Sequence, residues 1–344
     1  SKGRVGITRR FAIGPVAAIS PFNLPLGLSV HKLAPAIAAG APIVLRPPSK
    51  APLAILALAE VIESAGTPPG SVSVLPMTRE LGDRMVGDER FKLLSFTGSP
   101  AVGWAMKARA GKKKVLLELG GNAAAIIDAS ADLDWAAARC VTGAFKFSGQ
   151  LCVSTQRLLV HESVAGPFLE RFLALAAALR LGDPLDPNTD IGPMIDVAAV
   201  ERTVAWINEA VGQGARVIAG GSADGAFFQP TILTDVPAGA RICTEEAFAP
   251  LVVVSTFTDF EAALAEANNT RFGLQAGVFT NDLGHAWMAF NRLDVGGVII
   301  DDIPSYRIDH MPFGGVKDSG LGREGLRWAI DEMTELKLLV LGRT

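Results

Sequence analysis

Along the first third of the chain, short apolar runs alternate with helical stripes, and this alternation constrains the fold more than any other feature. "PVAAIS" is an apolar run ended by Pro21, and "LGLSVHKLAPAIAAG" is a small-residue helix stopped by Gly40. "PIVLRP" then reads as a buried strand, and "APLAILALAEVIESAG" as an amphipathic helix with Pro52 near its first turn and Gly66 past its end. "GSVSVLP", "KLLSFTGS" and "KKVLLELGG" continue the strands, with the helix "PAVGWAMKARAG" between the last two. Strands separated by helices imply βαβ units and a parallel sheet. Right-handed crossovers gather the loops that follow the strands at one edge.

The pattern restarts near Gly121 with "AAAIIDA" and "RLLVHE" as strands, "SVAGPFLERFLALAAALR" as a long helix and "DPLDPNTDIGP" as a loop. "AAVERTVAWINEAVGQG" reads as a further helix and "ARVIAGG" as a strand. Two packed α/β lobes are therefore expected, in keeping with 344 residues. The closing "ELKLLVLGRT" reads as a strand with no local hairpin partner, so it is expected to pair with another subunit or with the other terminus.

Composition excludes several function classes. With 49% hydrophobic and 19% charged residues and a net charge of −3, the chain is globular and presents no nucleic-acid surface. Three scattered cysteines make no disulfide framework and point to a reducing, cytoplasmic compartment. No cysteine pair or histidine stands at metal-ligand spacing, so no metal is expected. The polar, basic start at 1–10 leads to the expectation of no signal peptide, and "FLALAAALRLG" is too short to span a bilayer.

Four places carry chemistry. "FTGSPAVG" follows a strand and opens a helix whose N–H groups suit a pyrophosphate, with Ser99 as an alternative helix cap. In "LELGG", Glu118 ends an apolar strand, where it is either a surface carboxylate or a buried one tuned toward base catalysis. In "FSGQLCVSTQR", Cys152 sits behind a Ser-Gly-Gln turn, and it is either an inert core thiol or a nucleophile. Cys140 and Cys243 read as structural. In "SPFNLPLG", Asn23 is either a helix cap or a neutral donor for an oxyanion.

Taken in order, "SPFNLPL", "VLRPPSKAP", "FTGSPAVG", "LELGGN", "GQLC", "TEEAFAP" and "MPFGGVKDSGLGREG" resemble the aldehyde dehydrogenase superfamily across essentially the whole chain. The resemblance implies a Rossmann-like cofactor domain at 13–120 and a catalytic domain at 121–325. It also implies a remnant of an oligomerisation hairpin at 1–12, and a C-terminal helix with an oligomerisation strand at 326–344. The family's usual N-terminal segment before "RRFAIGPVAAIS" is missing from this sequence.

By the same resemblance, Cys152 is the nucleophile, Asn23 and the Cys152 N–H form the oxyanion hole, and Glu118 is the base that hydrolyses a thioester. Glu246 holds the nicotinamide ribose, Phe248 packs beside the nicotinamide, and Thr97, Gly98, Ser99 and Gly120 line the cofactor. Phe147, Leu151, Val153, Arg307 and His310 are the expected substrate pocket. Where relatives carry a glutamate that grips a ribose hydroxyl this chain has Ser49, flanked by Arg46 and Lys50, so NADP is expected to be tolerated beside NAD. Leu151 stands where relatives acting on phosphorylated aldehydes carry Arg, which argues against a phosphate anchor. Asn122 replaces a common Lys, with little expected effect on the chemistry.

The resulting expectation is oxidation of a small aldehyde by a homodimer or homotetramer, loosely of the lactaldehyde and semialdehyde branch. The alternatives are a coenzyme A-acylating relative and a non-catalytic truncated member.

Overall fold

The computed structural model describes residues 3–342. Two compact units emerge, the first comprising Ser1–Leu119, Ile308–Gly314 and Gly320–Thr344 and the second Gly120–Arg307 and Gly315–Ser319. The stretches 308–314 and 320–325, expected with the second lobe, thus pack with the first.

The first unit is built on a six-stranded sheet in the order Gly320–Leu321, Lys114–Glu118, Leu93–Thr97, Val16–Ile19, Ile43–Arg46, Val72–Val74. All neighbours are parallel except Gly320–Leu321, which runs antiparallel to Lys114–Glu118. Val16–Ile19 is buried along its whole length, as a strand covered on both faces requires. Strand order reverses direction between Val16–Ile19 and Leu93–Thr97, so the sheet has its switch point there, where doubly wound folds bind ligands. The Pro25–Ala39 helix ends at Gly40, whose φ of 71° is left-handed and whose N–H donates back to Ile37 and Ala36, as the sequence implies.

The second unit holds a seven-stranded sheet in the order Gly297–Ile300, Gln275–Phe279, Ala123–Ile127, Thr155–His161, Leu251–Phe257, Thr231–Thr234, Arg216–Ala219. Only Arg216–Ala219 is antiparallel to its neighbour. Leu133–Phe145 and Glu162–Ala177 pack on it through Cys140, Phe145, Phe168 and Phe172, which are almost wholly buried. Each such side chain removed from water stabilises the unit by about 1.5–3 kcal/mol.

The C-terminal strand, Thr334–Leu341, pairs antiparallel with Val5–Ala12, the other terminus. Ser1, Lys2, Arg343 and Thr344 of the expected terminal segments lie outside the described residues. Among the described residues no helix is long and apolar enough to cross a membrane.

Candidate active site

In the first unit, the expected residues collect where strands end. Asn23 lies in the turn between Val16–Ile19 and the Pro25–Ala39 helix. The N-cap position of that helix is Leu24 rather than Asn23. Glu118 is the last residue of its strand and is buried, which rules out the surface alternative. Its carbonyl accepts the Gly98 N–H at 3.0 Å, and Thr97 stands opposite it in the parallel register.

Ser99 occupies the N-cap of the Pro100–Arg109 helix, but its side chain makes no capping bond, so the capping alternative fails for this residue. Arg46 ends its strand and donates to the Ser49 hydroxyl at 3.1 Å and to the Met77 carbonyl at 3.3 Å. Ser49, Lys50 and His310 are exposed.

Sequence reasoning missed Lys32. Its ammonium is buried in the first unit and donates to the Ser95 and Thr97 hydroxyls at 3.0 and 2.7 Å, and to Glu324 Oε1 at 3.4 Å. The pair is 1% and 5% exposed. The signal was present: Leu28, Ser29, Lys32, Leu33 and Ala36 form one buried helical stripe, with a lysine inside it.

In the second unit Cys152 and Glu246 sit before strands rather than after them. The Leu133–Phe145 helix runs into a tight turn, Lys146–Gly149, in which Phe147, Ser148 and Gly149 have φ of 53°, 55° and 65°. Two adjacent non-glycine residues in the left-handed region cost energy that the surroundings must supply. Ser148 Oγ donates to the Gly192 carbonyl at 2.7 Å, and Gln150 Oε1 accepts the Ile195 N–H at 2.9 Å. Ser154 then closes the turn by donating its N–H to the Leu151 carbonyl at 3.0 Å.

Cys152 is held partly exposed within this frame. Cys140, by contrast, is fully buried, and burial pushes its thiol far up. Burial also drives Cys243 up to about 11, against the nearby positive charge of Arg157. Phe147 is exposed and Leu151 partly so, whereas Val153 is buried; Arg307 is partly exposed in the loop after Gly297–Ile300.

Gly120 and Gly121 join three of the quoted stretches. A Cβ on Gly121 would overlap the backbone carbonyl of Cys152, and one on Gly120 would overlap the carboxylate of Glu246. The Gly121 N–H donates to Glu246 Oε1 at 3.0 Å. Burial lifts the Glu246 carboxyl to about 7, opposed by that N–H and by the charges of Arg202 and Arg271. Phe248, two residues on, is left-handed at φ 51°. A partly exposed cysteine, a carboxylate and a glycine cradle are thus fixed together within one unit.

The model of the Aldehyde dehydrogenase family matches residues 1–339. The 3-sulfolactaldehyde dehydrogenase of Priestia aryabhattai is 43% identical over 342 residues, covering 99% of this chain and 72% of that protein. Aldehyde dehydrogenase 21 from Physcomitrella patens, solved with its reaction product succinate, superposes with a TM-score of 0.98 at 48% identity, covering 100% of this chain and 72% of that one. Glyceraldehyde-3-phosphate dehydrogenase GapN from Methanocaldococcus jannaschii, solved with NADP, gives 0.96 at 42% identity, covering 99% and 76%.

Proposed function

This chain belongs to the aldehyde dehydrogenase family, and from that premise we propose that Cys152 is the residue through which it oxidises an aldehyde to a carboxylic acid with NAD or NADP. The observation that carries the reading is the Gly120–Gly121 pair, which seats both the Cys152 turn and Glu246.

The Cys152 thiolate adds to the carbonyl carbon, forming a C–S bond while the π electrons move to oxygen. Asn23 and the Cys152 N–H donate to that oxyanion. When the C=O bond re-forms, the carbon gives up its hydrogen as hydride and a thioester remains on Cys152. NAD(P), when bound, supplies the acceptor for that hydride. Glu118 then takes a proton from water, the resulting hydroxide attacks the thioester, and the acid leaves as the C–S bond breaks and the thiolate returns.

The residues present fit such a cofactor: Gly120 keeps space clear beside Glu246, where a side chain would collide. Glu246 would hold a ribose hydroxyl, Phe248 the nicotinamide side, and Thr97, Gly98 and Ser99 the phosphates. Arg46 and Lys50 around Ser49 would accept a 2′-phosphate, since no carboxylate there repels it.

For the substrate we favour a short aldehyde with an acidic tail, anchored by Arg307 and His310, with Phe147, Leu151 and Val153 around the reacting carbon. One relative above is named for a sulfonated aldehyde and another was solved with the dicarboxylate succinate as its product, which supports this choice. Three scattered cysteines without a disulfide framework support a cytoplasmic enzyme, and the terminal strand pair supports a homodimer or homotetramer.

The test is growth of A340 with NAD and with NADP over short aldehydes bearing no acid, a carboxylate, a sulfonate or a phosphate. Turnover is expected to be highest with the carboxylate and sulfonate, and Cys152→Ala to abolish it. Iodoacetamide is expected to modify Cys152 well before Cys140 or Cys243. Equal labelling of the three thiols, or full activity in Cys152→Ala, overturns the assignment. Strict dependence on coenzyme A would establish the acylating alternative instead.

A further inference from the structure

Glu246 is bracketed by two buried amides that the reaction itself does not use. The Glu245 carbonyl, just before it, accepts from Asn122 Nδ2 at 2.9 Å and from Gln156 Nε2 at 2.8 Å. The Ala247 N–H, just after it, donates to Gln156 Oε1 at 2.9 Å. Asn122 Nδ2 also donates to the Cys243 carbonyl at 3.0 Å, and Gln156 Nε2 to that of Ile242 at 2.8 Å. Both side chains are nearly inaccessible, at 3% and 4% exposed.

Their places in the chain give this arrangement meaning. Asn122 follows Gly121, whose N–H donates to the Glu246 carboxylate. Gln156 lies in the Thr155–His161 strand, four residues after Cys152. One side chain therefore spans from the strand behind the nucleophile to the backbone on both sides of Glu246. The chemistry is specific. Gln156 gives two N–H donations and takes one, a pattern that a carboxylate or a hydroxyl does not reproduce. Asn122 faces two carbonyl oxygens, so its NH₂ end is fixed toward them.

We propose that Asn122 and Gln156 are positioning residues for cofactor use: they set where Glu246 stands, and through it how tightly NAD(P) is held, without touching the cofactor. The proposal rests on Glu246 being the ribose ligand. It also gives the Asn122 departure a consequence where little effect on the chemistry was expected.

Asn122→Asp and Gln156→Glu keep shape but turn a carboxylate toward carbonyl oxygens; Asn122→Ala removes the donations without adding charge. With the full chain, each is expected to raise the cofactor KM, and the Kd from cofactor titration, by about tenfold. The kcat at saturating cofactor, and the iodoacetamide rate of Cys152 in the cofactor-free protein, are expected to stay within about twofold of the parent. Melting temperatures identify any variant that fails to fold, and Asn122→Ala then carries the test. A cofactor KM within twofold of the parent in a folded variant overturns the proposal, as does an equal loss in kcat and in Cys152 reactivity. Glu246→Gln is run alongside. If it raises the cofactor KM and the amide variants do not, positioning alone falls. If it leaves the KM unchanged, the ribose assignment falls and the proposal with it.

Discussion

Cys152 and Glu246 show how the same residue types become different chemical groups according to where the backbone holds them. Three cysteines share one side chain, but Cys140 lies inside a helix packed on the sheet and Cys243 is largely covered, so burial keeps both thiols protonated. Cys152 is raised on a turn that includes two left-handed non-glycine residues, and is the thiol the frame presents. Glu246 has its carboxyl lifted from 4.5 to about 7 by burial. The folded state therefore binds a proton that the unfolded chain releases near pH 4.5. Stability contributed by this group is present below that pH and is lost as pH rises through 7. Denaturant unfolding between pH 4.5 and 8 is expected to show this decline in the parent and a flatter profile in Glu246→Gln. Parallel profiles would remove Glu246 as the cause.

At the scale of elements, the parallel strands and their caps were legible because each lies in a local pattern: continuous apolar runs for strands, a glycine after the helix at Gly40. The two sheets use their strands differently. In the first unit Asn23, Arg46, Thr97 and Glu118 lie at or just after strand C-terminal ends; in the second, Gly121, Cys152 and Glu246 come before the strands they precede in sequence. Nothing local distinguishes those two arrangements. Lys32 was missed for a related reason: a lysine in a helix reads as solvent-facing until its partners are known. It ties the Pro25–Ala39 helix to the ends of Leu93–Thr97 through Ser95 and Thr97, beside the buried Glu324. Lys32→Met removes the cation beside a buried carboxylate, and is expected to cost about 3–5 kcal/mol in denaturant unfolding. A loss below about 1 kcal/mol would show that the pair is not a structural tie.

For the whole molecule, the terminal ribbon is the feature that a single chain explains least. Val5–Ala12 and Thr334–Leu341 pair along eight residues, yet Val5, Ile7, Leu336, Leu338, Leu339, Val340 and Leu341 are exposed. A two-stranded ribbon is marginal by itself, and apolar side chains in such numbers favour cover by another surface. On the proposed reading that cover is a second copy. Light scattering coupled to size exclusion is expected to report a dimer or tetramer, and Leu338→Glu to shift it toward monomer while far-ultraviolet circular dichroism is retained. A parent chain that runs as a monomer overturns the assembly.

Sequence alone determined the class of the fold and the family, and through them the candidates for the chemistry-bearing residues. Alternating strand and helix patterns are local, and seven short stretches in order carry a family's signature even before any contact is known. Tertiary structure alone decided which of those residues share a frame. Gly121 under Cys152, Gly120 under Glu246, and the amides of Asn122 and Gln156 around Glu246 join positions up to 126 residues apart. Such pairings follow from which strands lie side by side in the sheet and from what burial leaves for each polar group to bond, and neither leaves a periodic trace along the chain.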